Sequence, residues 1–161
     1  MLNSNKEIIF KLTFIVSLFV LISAYFIEYI LGHQPCNLCL IERVPYMGAL
    51  VIIIINFQFN HLEKYSILLL IFIFLAGSLI SLYHLGIEQG FIKESLVCNL
   101  SVGDNFINPE ELLKNLKEKP ISCKDVTFRL FGLSLATINI FISLIVSVIT
   151  LKLFLDYEKN K

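Results

Sequence analysis

The sequence predicts an all-α integral membrane protein, a four-helix bundle with one long loop outside the bilayer. Of its 161 residues, 57% are hydrophobic and 16% are charged, whereas an average soluble domain has about 45–50% and about 25%. The mean hydropathy is +0.79. Four uncharged runs approach or exceed the ~20 apolar residues that a spanning helix needs. These observations exclude an ordinary soluble fold.

The first uncharged run is Leu12–Ile27, and the span reaches about residues 10–31 if Glu28 lies at the interface. A cleaved signal peptide is the alternative, because Lys6 and Lys11 precede the run. The apolar stretch is longer than a usual signal core, however, and no small-residue cleavage site follows it. We therefore expect a membrane span here.

The other three spans are predicted at about residues 44–62, 65–87 and 130–151. The connection between the second and third is very short, which predicts a tight antiparallel hairpin. Four spans place both termini on one side of the membrane and the outer loops 32–43 and 88–129 on the other. We expect a single domain over residues 1–161. The apolar spans imply the lipid bilayer as a partner, whereas a formal net charge of zero without a basic stripe indicates no nucleic acid partner.

The long outer loop contains the signals of one short amphipathic helix. Asn108 is a capping residue, Pro109 occupies the first helical position, and Glu111 completes a capping-box spacing. Pro120 ends the predicted helix. Its leucines share one face, which we expect to rest on the bilayer surface or on the spans, with a partner-binding face as the alternative.

All four cysteines lie in the two outer loops, Cys36 and Cys39 in the first and Cys98 and Cys123 in the second. Disulfides persist in oxidising compartments outside the cytoplasm, so we expect these loops to face outward. Counting Lys and Arg does not decide the orientation, because six lie on the proposed inner side and seven on the outer side.

Cys36 and Cys39 form a C-x-x-C motif. A zinc site would need two more ligands at compact spacing, whereas Cys98 and Cys123 are far apart and lack a second such motif, so we expect no metal. The chain has no room for a thioredoxin-type βαβ pattern. A structural disulfide stays open as an alternative. The position after Pro35, at the mouth of a span, favours an exchangeable, redox-active disulfide.

Arg43 follows Cys39 by four residues and Cys36 by seven. If this stretch is helical, all three side chains face the same way, and the guanidinium charge would favour a thiolate or a reduced anionic acceptor. Pro45 opposes this geometry, because a proline disfavours helical backbone at Val44. A simple interfacial anchor is the alternative role for the arginine.

Three segments together resemble the DsbB-type disulfide bond formation proteins, including the DsbI branch. They are Pro-Cys-Asn-Leu-Cys-Leu-Ile-Glu-Arg at 35–43, Tyr-His-Leu-Gly-Ile-Glu at 83–88, and Cys123 with Phe128 followed by Phe-Gly-Leu-Ser at 131–134. The resemblance covers the four spans and both cysteine pairs, and it is specific in combination.

The resemblance implies a multi-pass enzyme of the bacterial inner membrane, a quinone-dependent protein-dithiol oxidoreductase. A periplasmic DsbA-like thiol oxidase would pass its electrons to the Cys98–Cys123 disulfide, then to Cys36–Cys39, and then to a membrane quinone, either ubiquinone or menaquinone. Cys98 would form the mixed disulfide with the partner, and Cys39 would be the thiolate beside the quinone. Arg43 would support quinone reduction.

The chain also departs from the family pattern, because the residue after Glu88 is not the histidine found in some members. His84 is a candidate for binding the quinone and handling protons beside it, or else a histidine satisfied at the interface. We expect Glu28 and Glu42 to mark the aqueous boundary and Asn139 to bond between helices.

Two other functions remain open from the sequence. A vitamin K epoxide reductase-like thiol enzyme also combines four or five spans with a C-x-x-C, although there the motif would be expected late in the chain. A disulfide-stapled structural or transport subunit without redox turnover is the alternative from another class. A transporter would favour ionisable residues in mid-span, and we find only histidines near the span ends.

Overall fold

The computed structural model describes residues 2–59, 63–94, 98, 122–124, 128–130 and 132–159, with side chains from residue 6 onward. Its elements in chain order are helices α1 (Leu2–Tyr29), α2 (Asn37–Ile41), α3 (Val44–Gln58) and α4 (Glu63–Glu88), strands β1 (Arg129–Leu130) and β2 (Leu133–Ser134), and helix α5 (Leu135–Lys159). The helix predicted between Asn108 and Pro120 lies outside the described residues.

Four stretches of the described chain are long and apolar enough to cross a membrane: Lys6–Tyr29, Asn37–Gln58, Glu63–Glu88 and Leu135–Lys159. The predicted all-α membrane bundle is therefore confirmed. α3 packs against α4 along the predicted hairpin, and α4 also packs extensively against α5.

Helices α1 and α5 are longer than the uncharged runs that predicted them. α1 begins at Leu2 and α5 continues to Lys159, because single charged residues such as Lys11 and Lys152 are compatible with a helix when their long side chains reach polar surroundings. The uncharged runs thus mark the most apolar part of each span, and the helices extend beyond them.

The last span starts later than predicted. Arg129–Leu130 and Leu133–Ser134 form a small antiparallel pair of strands, in which Arg129 pairs with Ser134 and Leu130 with Leu133. Gly132, just before the second strand, has φ +84°, a left-handed conformation that glycine adopts without a steric penalty. The helix therefore begins at Leu135, about five residues after the predicted start.

The main core lies between the four spans. Tyr46, Phe74, Ile53, Ile67 and Leu70 are almost completely buried, and the same cluster includes Phe10, Leu21, Ala49, Val146 and Leu153. Ala49, Ser81 and Ser143 are also fully buried, and small side chains of this kind let membrane helices approach closely.

α3 and α4 lie close together at Gly77. A Cβ atom at this position would lie 3.0 Å from Cγ of Pro45, whereas a Cβ atom at Gly48 would lie 3.7 Å from Ile73. Pro45 stands in the first turn of α3, where its missing N–H leaves no helical bond unmade. The absence of a side chain at Gly77 therefore positions the start of α3, next to Arg43.

Charged pairs connect the helices at the end of the bundle away from the cysteines. Lys6 lies 3.1 Å from Glu63, and its ammonium group stands over the ring of Tyr157. Lys64 pairs with Glu158. These contacts hold the ends of α1, α4 and α5 together.

Candidate active site: two cysteine pairs and an apolar pocket

The C-x-x-C motif begins helix α2. Cys36 is the N-cap residue, with extended backbone, and its sulfur accepts a hydrogen bond from the backbone N–H of Cys39 at 3.2 Å. Both cysteines are free thiols; Cys36 is buried and Cys39 is half-buried. A sulfur at this position receives an N–H bond that stabilises its thiolate form.

The electrostatics of the pair favour ionisation at Cys36. Its pKa is lowered to about 5, mainly because the Cys39 side chain hydrogen-bonds to its sulfur, and burial opposes this effect. His84 contributes a further hydrogen bond and its charge. Cys36 is therefore the thiolate of the reduced pair when both of these partners are in place.

His84 reaches Cys36 from helix α4. Its Nε2 lies 3.6 Å from the Cys36 sulfur, and its Nδ1 lies 2.8 Å from Oε1 of Glu42. The Glu88 carboxylate lies 3.7 Å from the same Nε2. The ring of His84 is thus held between the Glu42 carboxylate and the Cys36 sulfur, on the side of the C-x-x-C that faces α4.

Glu42 does not mark the aqueous boundary, and that expectation is wrong. Only 7% of the residue is exposed, because its carboxylate bonds to His84 through one oxygen and accepts from Asn139 Nδ2 at 3.2 Å through the other. A buried carboxylate is tolerated when both oxygens have partners.

Asn139 connects three helices, which confirms the expectation that it bonds between spans. Its amide nitrogen donates to Glu42 and, at 2.7 Å, to the hydroxyl of Ser81 on α4. Its amide oxygen accepts from the hydroxyl of Tyr46 on α3. A continuous set of hydrogen bonds therefore runs from Cys36 through His84 and the Glu42 carboxylate to the middle of the bundle.

Arg43 lies on the other side of the motif from His84. It is the N-cap residue of α3, its Nη1 donates to Oε2 of Glu28 at 2.5 Å, and its guanidinium carbon stands 5.0 Å from the ring centroid of Tyr25. Glu28 is half-buried in this ion pair. The arginine is therefore held by α1.

Cys36, Cys39 and Arg43 do not all face the same way. Cys36, the N-cap residue of α2, has extended backbone, whereas Glu42 and Arg43, between α2 and α3, have right-handed helical backbone angles. Cys39 and Arg43 both line a pocket, whereas Cys36 is directed to His84. The motif thus separates its two sulfurs between two environments.

The pocket has a volume of about 240 Å³ and lies between α1, the first outer loop, the start of α3 and the start of α5. Its polar lining residues are Ser23, His33, Gln34, Cys39, Glu42, Arg43, Tyr46 and Asn139. Most of the remaining wall is apolar and includes Phe19, Val20, Ile27, Leu135, Ile138 and Ile142. His84 is not among the residues that line it. Such a surface accommodates a flat apolar molecule with a few polar atoms.

The second cysteine pair is a disulfide. Cys98 and Cys123 are bonded, with their Cα atoms 5.7 Å apart, and each residue is 2% exposed. They lie in one buried cluster with Cys36, Leu38 and Ile87, against which Cys39 and Tyr83 pack. The fold therefore brings the two pairs together, which the spacing of the cysteines in the chain does not require.

Glu94, which follows α4, is bonded to the segment that contains Cys123. Its Oε1 accepts from the hydroxyl of Ser122 and, at 3.3 Å, from the backbone N–H of Lys124. The rings of His33 and Phe128 lie 5.3 Å apart. These contacts connect the described part of the second outer loop to the residues after α4 and to His33 of the first outer loop.

Cys36, Cys39 and His84 also form a group that could hold a metal ion. One ligand atom from each lies within 4.8 Å of the others. Two thiols and an imidazole can either exchange electrons or bind a cation, so the same three side chains support two kinds of chemistry.

Sequence reasoning did not identify Glu42 as a partner of His84, nor Tyr46 and Glu28 as parts of the site. The sequence did carry a signal of buried polar contacts. Glu42 lies beside Arg43, and Tyr46 lies in the first turn of an apolar span. The partners themselves could not be found this way, since they lie on other helices.

Four spans, a C-x-x-C beside an apolar pocket and a disulfide packed against that motif define a membrane thiol–disulfide protein. Residues 6–153 match the family model described as disulfide bond formation protein DsbB. The chain therefore belongs to the DsbB family. It is also 28% identical over 147 residues to an uncharacterized protein of Rickettsia prowazekii (strain Madrid E), covering 90% of this chain and 85% of that one. No solved structure gives a significant match.

Proposed function

We propose that this protein is a quinone-dependent dithiol oxidase that reoxidises a DsbA-like thiol oxidase. The observation that carries the proposal is the placement of both cysteine pairs in one buried cluster, with Cys39 on the wall of an apolar pocket. This arrangement supplies a path for electrons from the outer pair to the inner pair and then to the pocket.

The pocket has the properties that a quinone requires. A membrane quinone supplies an acceptor for two electrons and two protons. The apolar side chains would hold its ring, while Arg43, Tyr46 and Asn139 offer polar contacts for carbonyl oxygens. The fixed guanidinium charge favours the negative charge that reduction brings to the pocket.

The path is a series of thiol–disulfide exchanges, each of which makes one S–S bond and breaks one. A partner thiolate attacks Cys98 and releases Cys123, and the partner's second thiol then resolves the mixed disulfide. Cys123 attacks Cys36 of the oxidised inner pair and releases Cys39. Cys98 then restores the outer disulfide and leaves the inner pair as a dithiol. The structure has this distribution, with Cys98–Cys123 bonded and the inner cysteines reduced.

The two sulfurs of the inner pair, Cys36 and Cys39, have different roles. While Cys36 is held in a disulfide with Cys123, Cys39 is the free sulfur, and it faces the pocket. His84 stands against Cys36 and takes the proton of its thiol at Nε2, with Glu42 orienting the ring. We therefore assign His84 to proton handling at Cys36, away from the pocket wall.

We further propose a location in a bacterial inner membrane, with both cysteine pairs on the periplasmic side. The disulfide of the outer pair supports this, since disulfides persist in that compartment. The pairs of Lys6 with Glu63 and Lys64 with Glu158 then lie at the cytoplasmic end.

Reconstitution tests the proposal. The protein is placed in lipid vesicles with ubiquinone or menaquinone, a reduced DsbA-like protein is added, and the quinone absorbance is followed. We expect the absorbance of the oxidised quinone to fall while the partner becomes oxidised. An unchanged absorbance with both quinones and a competent partner would overturn the proposal.

A further inference from the structure

The reduced inner pair and His84 have the composition and spacing of a metal site. Thiolates and imidazole nitrogens are the ligands that zinc takes most often. The spacing of the cysteines in the chain argues against a four-cysteine site, but folding adds a ligand from α4, 48 residues from Cys36. We propose that the reduced protein binds one Zn²⁺ ion, or a cation of the same class such as Cd²⁺, through Cys36, Cys39 and His84.

The separation of the ligand atoms matches that of a tetrahedral site. Zn–S bonds of about 2.3 Å and Zn–N bonds of about 2.0–2.1 Å, at the tetrahedral angle, place a sulfur and a nitrogen about 3.6 Å apart. The Cys36 sulfur and Nε2 of His84 are 3.6 Å apart. All three ligand atoms lie within 4.8 Å of one another, so a small movement of Cys39 completes the set.

A carboxylate already orients the imidazole as in known zinc sites. Glu42 accepts from Nδ1 of His84 at 2.8 Å, which leaves Nε2 directed at the sulfur and free to bind a cation. Ligating histidines in metal sites almost always have such a partner on the other ring nitrogen. Glu88, 3.7 Å from Nε2, adds negative charge beside the fourth position, which is open to its carboxylate or to water.

Binding couples the metal to the redox state of the pair. Two thiolates and a neutral imidazole bind the cation, the protons that they carried pass to solvent, and no group changes oxidation state. The Cys36–Cys39 disulfide offers no thiolate, so only the reduced form binds. A cation at about a hundred times its Kd therefore shifts the pair about 100-fold toward the reduced form. The effect on turnover rests on the proposed function, whereas the binding does not.

Cadmium titration of the full chain tests the site. The protein in detergent is reduced with a phosphine, which is then removed, and Cd²⁺ is added while the ultraviolet cadmium–thiolate absorbance is followed. We expect one equivalent to saturate the signal, Zn²⁺ to compete, and both inner cysteines to become protected from alkylation. Protein with an oxidised inner pair should give no signal. Absence of uptake by the reduced protein, or equal uptake by both forms, would overturn the proposal.

Variants separate this site from loose binding to two thiols. Glu42→Gln should weaken Cd²⁺ binding by about 10- to 100-fold, and His84→Ala should weaken it more. His33→Ala is the matched control. His33 lies in the same outer loop as Cys36 and Cys39 but outside the ligand group, so the Cd²⁺ affinity of this variant should stay unchanged. Unchanged affinity in both Glu42→Gln and His84→Ala would refute the site. If His84→Ala does not fold, the Cd²⁺ affinity of Glu42→Gln and the comparison of reduced with oxidised protein still test the proposed site.

Turnover distinguishes this proposal from the proposed function. If the account holds in full, Zn²⁺ stops quinone reduction and a chelator restores it. Protein that turns over but takes up no Cd²⁺ would refute the metal site alone. Protein that binds Cd²⁺ with the expected variant pattern, yet never reduces quinone, would keep the site and refute the proposed function.

Discussion

Oε1 of Glu42 lies 2.8 Å from Nδ1 of His84, and this contact turns the opposite ring nitrogen toward the sulfur of Cys36. A buried carboxylate therefore acts on a thiol that it does not touch. The two sulfurs therefore have different surroundings, because Cys36 contacts the imidazole whereas Cys39 faces the pocket.

Glu42→Gln should raise the pKa of Cys36 from about 5 toward its ordinary value of 9.0. The amide no longer holds the charged imidazole that donates to the thiolate, so the protonated thiol gains stability relative to the thiolate. The measurement is the rate of alkylation of Cys36 against pH, in reduced protein free of quinone and metal. Glu28→Gln is the matched control, because that carboxylate pairs with Arg43. A midpoint that stays the same in Glu42→Gln would show that the carboxylate does not position His84.

Arg43→Met should slow quinone reduction on the order of 100-fold while partner oxidation by the outer pair changes little. Negative charge develops beside the guanidinium only in the first of these half-reactions. Rapid mixing of prereduced protein with quinone, and separately of oxidised protein with the partner, measures the two rates. Glu28→Gln keeps the positive charge but removes the anchor. Equal losses in both half-reactions would indicate that the arginine is a structural anchor.

Cys123→Ser, mixed with the oxidised form of a DsbA-like partner, should accumulate a mixed disulfide between Cys98 and the nucleophilic cysteine of that partner. The Cys98 thiolate attacks the partner disulfide and releases the partner's second thiol, and without Cys123 no thiol of the outer pair is left to resolve the product. The complex is visible as a reductant-sensitive band on a gel, and Cys98→Ser should give none. A complex trapped through Cys123 would reverse the assignment within the pair. No complex with either variant would favour a structural disulfide.

Gly77→Ala should destabilise the protein by about 1–3 kcal/mol. The new Cβ atom would lie 3.0 Å from the ring of Pro45, and a ring at a helix start cannot rotate away as a flexible side chain can. Thermal unfolding in detergent measures the effect. Gly48→Ala is the control, since its Cβ atom has ordinary contact distance to Ile73. Equal stability of the two variants would mean that α3 and α4 separate at little cost.

The fold was largely predictable because membrane spans are determined locally. The length of an apolar run defines a span however the helices pack against one another. The predicted bounds of the spans around α3 and α4 therefore agree with the helices within a few residues. The start of α5 was missed because two short strands, with Gly132 in left-handed conformation just before the second, lie at the start of the uncharged stretch. Hydropathy alone does not distinguish the strand residues Leu130 and Leu133 from a helix.

The site was predictable only in part, for a physical reason. The C-x-x-C and Arg43 are close in the chain and were found as a motif, but Glu42 and His84 are brought together by the packing of α4 against the first outer loop. Pro45 signalled the junction between α2 and α3, and it lies in the first turn of α3. The packing of α4 against this segment does not follow from the order of the residues alone.

The stoichiometry of electron transfer tests the central claim most directly. Reconstituted protein is mixed with a limiting amount of reduced DsbA-like partner and an excess of quinone, and quinone absorbance and partner disulfide are measured in the same sample. The account predicts one quinone reduced for each partner disulfide formed, and no quinone reduction in Cys36→Ser or Cys39→Ser, both of which should remain folded. Partner oxidation without quinone reduction, or quinone reduction that persists in either variant, would contradict it.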